Sequence, residues 1–399
     1  VPQTVGDDIA LGGAPFADDT APRDALVAVP LPPGSTADAL DAAGMRWVVA
    51  DSLAAARVAA AKVQGRRTTV EERPPLFDQL APCPPDGVRL ATSWVEPAYL
   101  EPDASWCAPG HEPACAYVNG GAFGGKLTSA APHAARELAN RLQRTVRVVY
   151  SREDVVRLGP KRPPIAATAR WCQGSIEIDG VTATGAADAF ASVWPSPYAC
   201  PVTAHWRDVE VVGPPVSAQV RAAGLAEQAV LVEGALDVAD IDRADLTDDP
   251  TLLDTCVRAP SGASAGAHVH VDPATGAIAP ISVRVAAGDP LDETVLRSYA
   301  IGAAHMALGW VCTESLSADP VTGVVADLTI RSFGILRAKD MPAIEVDVID
   351  DPRSPLAGSS DAVFAAVAAA TWNALSAAEG TRPDTFPTRN TRASRRLRR

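Results

Sequence analysis

The chain has 399 residues, enough for roughly two or three domains around a sizeable hydrophobic core. Apolar residues make up 47% of the sequence but aromatic residues only 5%, so Ala, Val and Leu must supply most of that core. The formal net charge of −13 argues against general nucleic-acid binding, which needs a basic surface. This composition suits a protein that handles small molecules or docks to partner proteins.

Cysteine usage and apolar patterning predict the compartment. The seven cysteines are widely spaced and contain no C-x-x-C, so a secreted disulfide framework, a zinc knuckle and an iron–sulfur motif are not expected. The first residues lack a basic segment followed by an apolar run, and no stretch of about 18 apolar residues occurs later. We therefore expect no signal peptide and no membrane span, with the cytoplasm as the default location.

The first 85 residues are predicted to hold a small strand–helix–strand unit. An alanine-rich helix over 52–63 has Asp51 or Ser52 as its N-cap, and 74–85 reads as a proline-rich connection. Strands are predicted over 25–31, 46–51 and 68–71.

The middle of the chain mixes helices and strands. Ser175 to Ala183 alternates apolar residues around Asp179-Gly180, which predicts a hairpin that turns at this pair. The acidic stretch 237–254 lacks the spacing of an EF-hand, so a solvated connection is favoured over a calcium loop. The other predicted elements are helices over 130–142 and 224–238, strands over 145–151 and 209–212, and a turn-rich loop over 159–164.

The C-terminal part repeats this mixture. Strands over 267–271 and 278–286 are joined by a hairpin turn over 272–276, and an alanine-rich helix over 361–377 precedes Gly380. A further helix is predicted over 293–310, with strands over 324–330 and 344–349. Hairpins among loosely alternating helices and strands predict an α+β fold with mixed sheets and packed helices.

Two polar clusters have both a structural and a functional interpretation. Six arginines lie between Arg389 and Arg399, and this basic tail is either a disordered solubilising end or an electrostatic contact to an acidic partner. His268 and His270 alternate on a predicted strand and share a face, but no third metal ligand is evident. We expect structural histidines and no metal site there.

The segment Asn119-Gly120-Gly121-Ala122-Phe123-Gly124-Gly125-Lys126 is the strongest ligand-binding signal in the sequence. It nearly fits the nucleotide-binding P-loop G-x-x-x-x-G-K-[ST], but Leu127 stands where magnesium needs a hydroxyl group, and no clear buried strand precedes it. Its four glycines would let the backbone approach an anionic ligand closely. A plain structural turn is the third interpretation.

The same segment resembles the G-G-G-F-G-G-K signature of the xanthine dehydrogenase and aldehyde oxidase family, in its large molybdopterin-binding subunit. Ala122 replaces one glycine of that signature. In the family this segment lies against the molybdenum cofactor, which is molybdopterin or its cytosine dinucleotide form. The resemblance therefore implies a cofactor-binding set of Gly120, Gly121, Ala122, Phe123, Gly124 and Gly125.

Further motifs follow in the family's order. Ser151-Arg152-Glu153-Asp154 resembles its S-R-E-E/D turn, and Lys161-Arg162-Pro163-Pro164 falls at its His/Arg-Pro loop. The remaining resemblances are those of 48–52 to V-V-A-D-S, 100–102 to M-E-P, 219–224 to F-R-G-F-G, 271–276 to V-D-P-E-T-G, and 357–361 to K-G-V-G-E.

The resemblance implies two catalytic residues. Arg221 matches the arginine of F-R-G-F-G, which orients substrate and stabilises developing charge. Asp361 stands at the general-base glutamate of K-G-V-G-E; it keeps the carboxylate on a shorter side chain. A base displaced by roughly an ångström can lose on the order of a hundredfold in rate. On the residues alone, Arg221 could equally be a surface or ion-paired arginine, and Asp361 a helix N-cap.

The sequence is much shorter than the family's subunits and lacks two of their segments. T-Q-G-P is absent between Pro109 and Asn119, and almost nothing of the G-Q-G pterin-contact stretch remains near 256–266. The resemblance thus implies one of two forms. One is an oxidoreductase subunit that hydroxylates an aldehyde or N-heterocycle and passes electrons to iron–sulfur and FAD subunits in a heteromer. The other is an inactive paralogue that has lost the cofactor and acts as a structural or assembly partner.

These motifs also suggest domain boundaries. We expect an N-terminal α+β remnant over 1–115, two molybdopterin-binding-like lobes over 116–258 and 259–388, and the basic tail over 389–399.

Overall fold

The computed structural model describes residues 17–31, 35–60, 73–95, 103–114, 129–191, 195–216, 224–326, 332 and 334–398. The strand predicted over 68–71, the glycine-rich segment 119–126 and Arg221 lie outside these residues, as does most of the strand predicted over 324–330.

The described residues form strands and helices that alternate along the chain. The strands are β1 (Leu26–Pro30), β2 (Leu40–Ala42), β3 (Met45–Ala50), β4 (Gly87–Thr92), β5 (Asp103–Cys107), β6 (Val146–Tyr150), β7 (Ile165–Cys172), β8 (Ser175–Ala183), β9 (Val202–Val209), β10 (Thr255–Arg258), β11 (Ser264–His268), β12 (Ile281–Ala286), β13 (Ile344–Val348) and β14 (Thr385–Phe386). The helices are α1 (Leu53–Ala59), α2 (Ala131–Leu142), α3 (Arg152–Leu158), α4 (Ala187–Ala191), α5 (Leu225–Val238), α6 (Glu293–Cys312), α7 (Ser359–Glu379) and α8 (Arg392–Leu397).

Three mixed sheets organise these elements, which confirms the predicted fold class. The first has the order β2-β3-β1-β6-β5, the second β14-β4-β7-β8-β9, and the third β10-β11-β12-β13. Each sheet combines antiparallel pairs with at least one parallel pair: β1 with β6, β14 with β4 and β8 with β9, and β12 with β13.

The first sheet is covered by helices on both faces. Leu26 and Ala28 of β1 pack into the core beneath α2, whereas Val27 and Val29 pack into the core beneath α1. Successive side chains of a strand point to opposite faces, so a continuous apolar run is what a doubly covered strand requires.

A layer formed by α5, α6 and α7 lies between the second and third sheets. Helix α5 packs on β4, β7 and β8, whereas α7 packs on β10, β11 and β12 and against both other helices. Every residue of α7 from Asp361 to Trp372 is buried, and half of them are alanine, which lets neighbouring backbones approach closely. By length and composition α7 would qualify as a membrane span, contrary to the expectation from the sequence, but 72% of its apolar 18-residue window is buried in the protein.

The hairpin predicted at Asp179-Gly180 is wrong. Strand β8 runs straight through this pair, and the turn lies between β7 and β8 at Gln173 and Gly174, both with positive φ. Gly180 has another function: a Cβ atom there would lie 2.4 Å from Cζ3 of Trp206 on β9. The glycine therefore makes room for a cross-strand indole ring.

Three further predictions need correction. The strand predicted over 209–212 lies earlier in the chain, because β9 spans Val202–Val209. In the acidic stretch, Asp249 is buried and accepts hydrogen bonds from Thr251, Ser264 and Arg258, so this part is not merely a solvated connection. The basic tail is not disordered within its described part, because α8 is capped by Thr391 and buries Ala393 and Ser394.

Candidate functional site

Asp361 lies at the start of the long buried helix α7. Gly358 (φ +81°) is the N-cap, so the interpretation of Asp361 as the N-cap itself is wrong: it is the third residue of the helix. The residue is only 6% exposed, and its backbone N–H donates to the Gly358 carbonyl at 3.1 Å. The N-terminal end of a helix stabilises a negatively charged side chain, which suits a carboxylate at this position.

The loop that leads into α7 is fixed by an ion pair. Asp351 accepts hydrogen bonds from Arg353 Nε at 2.8 Å and Nη2 at 2.6 Å, and from the backbone N–H of Gly288 at 2.8 Å. The hydrogen-bonded Arg353 guanidinium holds the pKa of Asp351 well below its usual range. Leu356 then donates to the Ala287 carbonyl at 2.8 Å. These contacts tie the approach to Asp361 to the end of β12.

A second helix, α5, begins at Leu225, four residues after Arg221. Gly224 (φ +80°) is the N-cap of α5, and its N–H donates to Oε2 of Glu227 at 3.0 Å. The Glu227 carboxylate also binds Nη1 of Arg162, at 3.0 Å to Oε1 and 3.1 Å to Oε2. The Arg162 side chain is 4% exposed and that of Glu227 is fully buried. A buried ion pair with good geometry thus joins the predicted Arg-Pro loop to the helix after Arg221.

The same arginine reaches the helix that carries Asp361. The guanidinium carbon of Arg162 lies 5.1 Å from the ring centre of Phe364 and 5.3 Å from that of Trp310, within cation–π distance of both. The two rings stack at 5.4 Å. Phe364 follows Asp361 by three residues on α7. Arg162 therefore contacts the two helices, α5 and α7, that follow the segments 219–224 and 357–361.

The loop before β7 is itself strongly buried. Lys161 is 1% exposed as a residue, and its ammonium group donates to the Val155 carbonyl at 3.2 Å and to the Gly159 carbonyl. The Arg162 backbone N–H bonds the Val95 carbonyl at 3.1 Å. Burial of two adjacent cations is costly unless both are satisfied, so these contacts fix the loop's conformation.

Two buried glutamates of α5 were not predicted from the sequence. Glu227 pairs with a residue 65 positions away, and no local pattern marks that contact. Glu233 accepts hydrogen bonds from Tyr198 Oη and from the Cys256 N–H at 3.0 Å, and it pairs with Arg243 at 3.2 Å. Burial raises the pKa of Glu233. One signal could have identified them: a glutamate within an otherwise apolar helix is expected to be buried and to need a hydrogen-bonding or charged partner.

The other predicted site residues cannot be placed beside Asp361. Gly120, Gly121, Ala122, Phe123, Gly124, Gly125 and Arg221 lie outside the described residues. Their cofactor-binding and catalytic functions stay predictions, as does the P-loop alternative for 120–126. His268 ends β11 and binds Asp254 at 2.7 Å through Nδ1. In the described part of the chain, no three His, Cys, Asp or Glu side chains form a group that could hold a metal ion.

No protein-family model matches the sequence, and no curated protein matches it either. Solved structures, however, match over the whole chain. Quinoline 2-oxidoreductase from Pseudomonas putida 86 superposes with a TM-score of 0.66 at 10% identity, covering 100% of this chain and 97% of its own. Aldehyde oxidoreductase from Desulfovibrio gigas gives 0.70 at 10% identity, covering 100% and 80%. The Cu,Mo-containing CO dehydrogenase gives 0.62 at 8% identity, covering 99% and 97%.

The chain has the molybdenum-hydroxylase fold. At 8–10% identity these likenesses establish the fold alone. They agree with the resemblance that the sequence motifs suggested.

Proposed function

We propose that this chain is a molybdopterin-binding-type subunit of an oxidoreductase related to xanthine dehydrogenase and aldehyde oxidase. Its substrate would be an aldehyde or an N-heterocycle, hydroxylated with oxygen that comes from water. The observation that carries the proposal is the match of the whole chain to the molybdenum-hydroxylase fold. The ordered motifs of the sequence support it independently, because a fold alone does not imply an activity.

The described residues fit a molybdenum–pterin group in one respect. Asp361 places a buried carboxylate at the start of α7, and Arg162 links this helix to the one that follows Arg221. Gly120 to Gly125 would hold the cofactor, which would supply the two-electron redox chemistry when bound. Arg221 would orient the substrate and stabilise its developing negative charge.

Asp361 would accept the proton in this reaction. Proton transfer to a positioned carboxylate contributes about 10²–10⁴-fold to the rate of an enzyme. The Asp351–Arg353 pair fixes the loop before α7, and the Arg162 contact with Phe364 fixes the helix one turn later. A shorter carboxylate would thereby be held rigidly in place.

Electrons would leave this chain through separate partners. Its sequence has neither a C-x-x-C nor a G-x-G-x-x-G motif, so iron–sulfur and FAD subunits would have to carry them. We therefore propose a cytoplasmic heteromer in which this chain holds the molybdenum cofactor and the substrate.

One observation favours a second candidate function. Asp361 lies within the first turn of a buried helix, where a carboxylate also stabilises the helix N-terminus, and it is shorter than the family's glutamate. The chain could thus be an inactive paralogue that has kept the fold and acts as a structural or assembly partner. An inactive paralogue would bind its partners without turning over substrate.

Activity of matched aspartate variants tests the proposed function. The purified protein, with its partners, is given quinoline or benzaldehyde and a dye that accepts electrons, in ¹⁸O-labelled water. We expect labelled product, and a loss of about 100-fold or more in kcat for Asp361→Asn. Asp350→Asn, on the exposed loop before α7, should change kcat less than about twofold. Equal activity of Asp361→Asn and Asp350→Asn would refute a role for Asp361 as base, and unlabelled product would refute the reaction.

A further inference from the structure

A cavity of about 600 Å³ lies where the segment after β4 meets the segment after α6. Its lining includes Ser93 and Trp94 from the first segment and Ser315 and Leu316 from the second. We call it the Ser93 cavity. It contains no residue that the proposed function uses, and no motif of the sequence predicted it.

The walls of the Ser93 cavity are fixed by backbone contacts. The Leu316 N–H donates to the Trp94 carbonyl at 2.8 Å, and the Ser93 N–H donates to the Phe386 carbonyl at 3.1 Å. A Cβ atom on Gly213 would lie 2.1 Å from Cζ2 of Trp94, so the indole packs directly on the glycine backbone. The serine and tryptophan that line the cavity are thus held in place before any ligand arrives.

The Ser93 hydroxyl is a buried polar group. The residue is only 8% exposed. Within the part of the chain that the structure describes, its side chain neither donates nor accepts a hydrogen bond. A buried hydroxyl costs free energy unless it is hydrogen-bonded. Because Ser93 lines the cavity, a ligand there could supply the missing partner.

A second hydroxyl indicates which kind of group the ligand would carry. Ser315 is 7% exposed and also lines the cavity. Its oxygen accepts a hydrogen bond from Nη2 of Arg389, which leaves its own O–H free to donate. Ser93 and Ser315 thus offer two O–H donors from adjoining segments. A carbonyl oxygen has two lone pairs and can accept from both.

The rest of the Ser93 cavity is mainly apolar. Trp94 and Leu316 are buried in its wall. An apolar pocket of a few hundred Å³ with a few convergent polar groups is the usual form of a small-molecule site. The apolar wall requires a hydrocarbon or aromatic body on the ligand. Further apolar lining comes from Pro75, Val211, Val212, Ala318 and Pro320.

The charged residues of the lining favour a neutral ligand. Arg73 is 75% exposed and pairs with Asp78 at 3.8 Å, and Glu210 is exposed to solvent. Arg389 is engaged by the Ser315 hydroxyl. Among the described residues, the lining therefore contains no buried charge that is free to meet a charged ligand. Moving an ionic group from water into such a cavity would be costly.

We propose that the Ser93 cavity binds a small neutral ketone or amide. Its carbonyl oxygen accepts hydrogen bonds from the hydroxyl groups of Ser93 and Ser315, and its apolar body packs against Trp94 and Leu316. The proposal is independent of the proposed function, because it involves no cofactor and no residue of the Asp361 region.

Ligand-detected NMR titration of the full chain with acetophenone tests the proposal. Ethylbenzene is the comparison ligand without a carbonyl group, and benzoate is the anionic one. We expect saturable binding of acetophenone, tighter than that of benzoate. Ser93→Ala should weaken acetophenone binding by about three- to tenfold, as the loss of one hydrogen bond would, and leave ethylbenzene binding unchanged. Ser298→Ala, at an exposed position of α6, is the matched control and should change neither.

Ser93→Ala should not lower the melting temperature, because the hydroxyl that it removes has no hydrogen-bonding partner among the described residues. Weaker binding by this variant would therefore not be a folding artefact. Absence of saturable acetophenone binding, tighter binding of benzoate, or equal acetophenone affinity of Ser93→Ala and the original protein would each overturn the proposal.

Val212→Asp tests the apolar wall at a position that is 48% exposed, where a substitution disturbs little packing. It should weaken the binding of acetophenone and ethylbenzene alike, by about fivefold or more, because it places a charge against the apolar body. Val58→Asp, at a position of α1 that is 81% exposed, is the control and should change neither. Unchanged binding of both ligands to Val212→Asp would overturn the assignment of the apolar wall.

Discussion

Individual buried charges fix the segments around Asp361. Arg162 is paired with Glu227 and enclosed by two aromatic rings, and Asp351 is paired with Arg353 at the entrance to α7. A buried charge is expensive to desolvate, so each of these residues stabilises the fold only while its partner is present. Their removal should therefore be measurable as a loss of stability.

Arg162→Met is expected to lower the free energy of unfolding by about 3–5 kcal/mol, because Glu227 would remain as a buried carboxylate without its cation. The double variant Arg162→Met/Glu227→Gln should recover most of that loss. Urea unfolding followed by circular dichroism measures both. Arg170→Met is the control, because Arg170 and Glu177 form a half-exposed pair, which typically contributes less than about 1 kcal/mol. A loss in Arg162→Met no larger than in Arg170→Met would contradict this account.

Asp351→Asn should show a pH-dependent loss of stability. The pKa of Asp351 is depressed in the folded chain by the hydrogen-bonded Arg353, whereas an unfolded aspartate titrates at about 3.9. A depressed pKa contributes stability that is present above the unfolded value and is lost as the pH falls towards the folded one. The variant should be less stable at pH 7 by about 1–3 kcal/mol, with the difference shrinking below about pH 4.

Thermal unfolding of the original protein and of Asp351→Asn at pH 7, 5 and 3.5 measures this difference. Asp350→Asn, at the exposed neighbouring position, supplies the baseline. A difference that stays constant across the three pH values would show that Asp351 acts without titrating.

At the scale of secondary structure, close packing of helices explains why small residues are placed where they are. A Cβ atom on Gly234 of α5 would lie 2.6 Å from Cζ3 of Trp372 on α7, and that indole is held by a 2.8 Å hydrogen bond to the Pro383 carbonyl. A Cβ atom on Gly302 of α6 would meet nothing within 4 Å. The glycine of α5 is therefore tightly packed, whereas the glycine of α6 has open space where a Cβ atom would be.

The same substitution should have opposite effects at these two positions. Gly234→Ala is expected to destabilise the protein by about 1–3 kcal/mol, because the tryptophan cannot move aside. Gly302→Ala should stabilise it by about 0.5–1 kcal/mol through helix propensity alone. Melting temperatures of the two variants give the signs directly, and a gain of stability in Gly234→Ala would mean that α5 and α7 are packed differently.

The longer helices and the first strands could be predicted from local signals, whereas 151–154, interpreted as a turn, begins helix α3. Ser52 caps α1 through its side chain, and Gly380 ends α7 in the left-handed conformation, as the sequence suggested. The hairpin at Asp179-Gly180 was predicted wrongly because a glycine can either form a turn or leave room in a strand for a neighbouring side chain. The sequence does not show that Trp206 packs over Gly180. The pairing of Arg162 with Glu227 was likewise unpredictable, since it depends on how distant segments meet.

At the scale of the whole molecule, the fold tolerates great change in sequence. Only 8–10% of residues are identical to those of the matching oxidoreductases, yet the match spans 99–100% of this chain. Layered helices and sheets can be kept by residues that preserve volume and apolar pattern, whereas a cofactor site needs particular groups. Because the fold can be kept without a cofactor site, cofactor binding has to be measured directly.

Molybdenum content of the purified protein, isolated together with any partners from cells able to make the pterin cofactor, tests the central proposal most directly. Inductively coupled plasma mass spectrometry gives the number of metal atoms per chain. The proposed function predicts about one molybdenum atom per chain, since a bound cofactor is stoichiometric. A chain that is folded and associated with its partners but free of molybdenum would contradict it and leave the inactive paralogue.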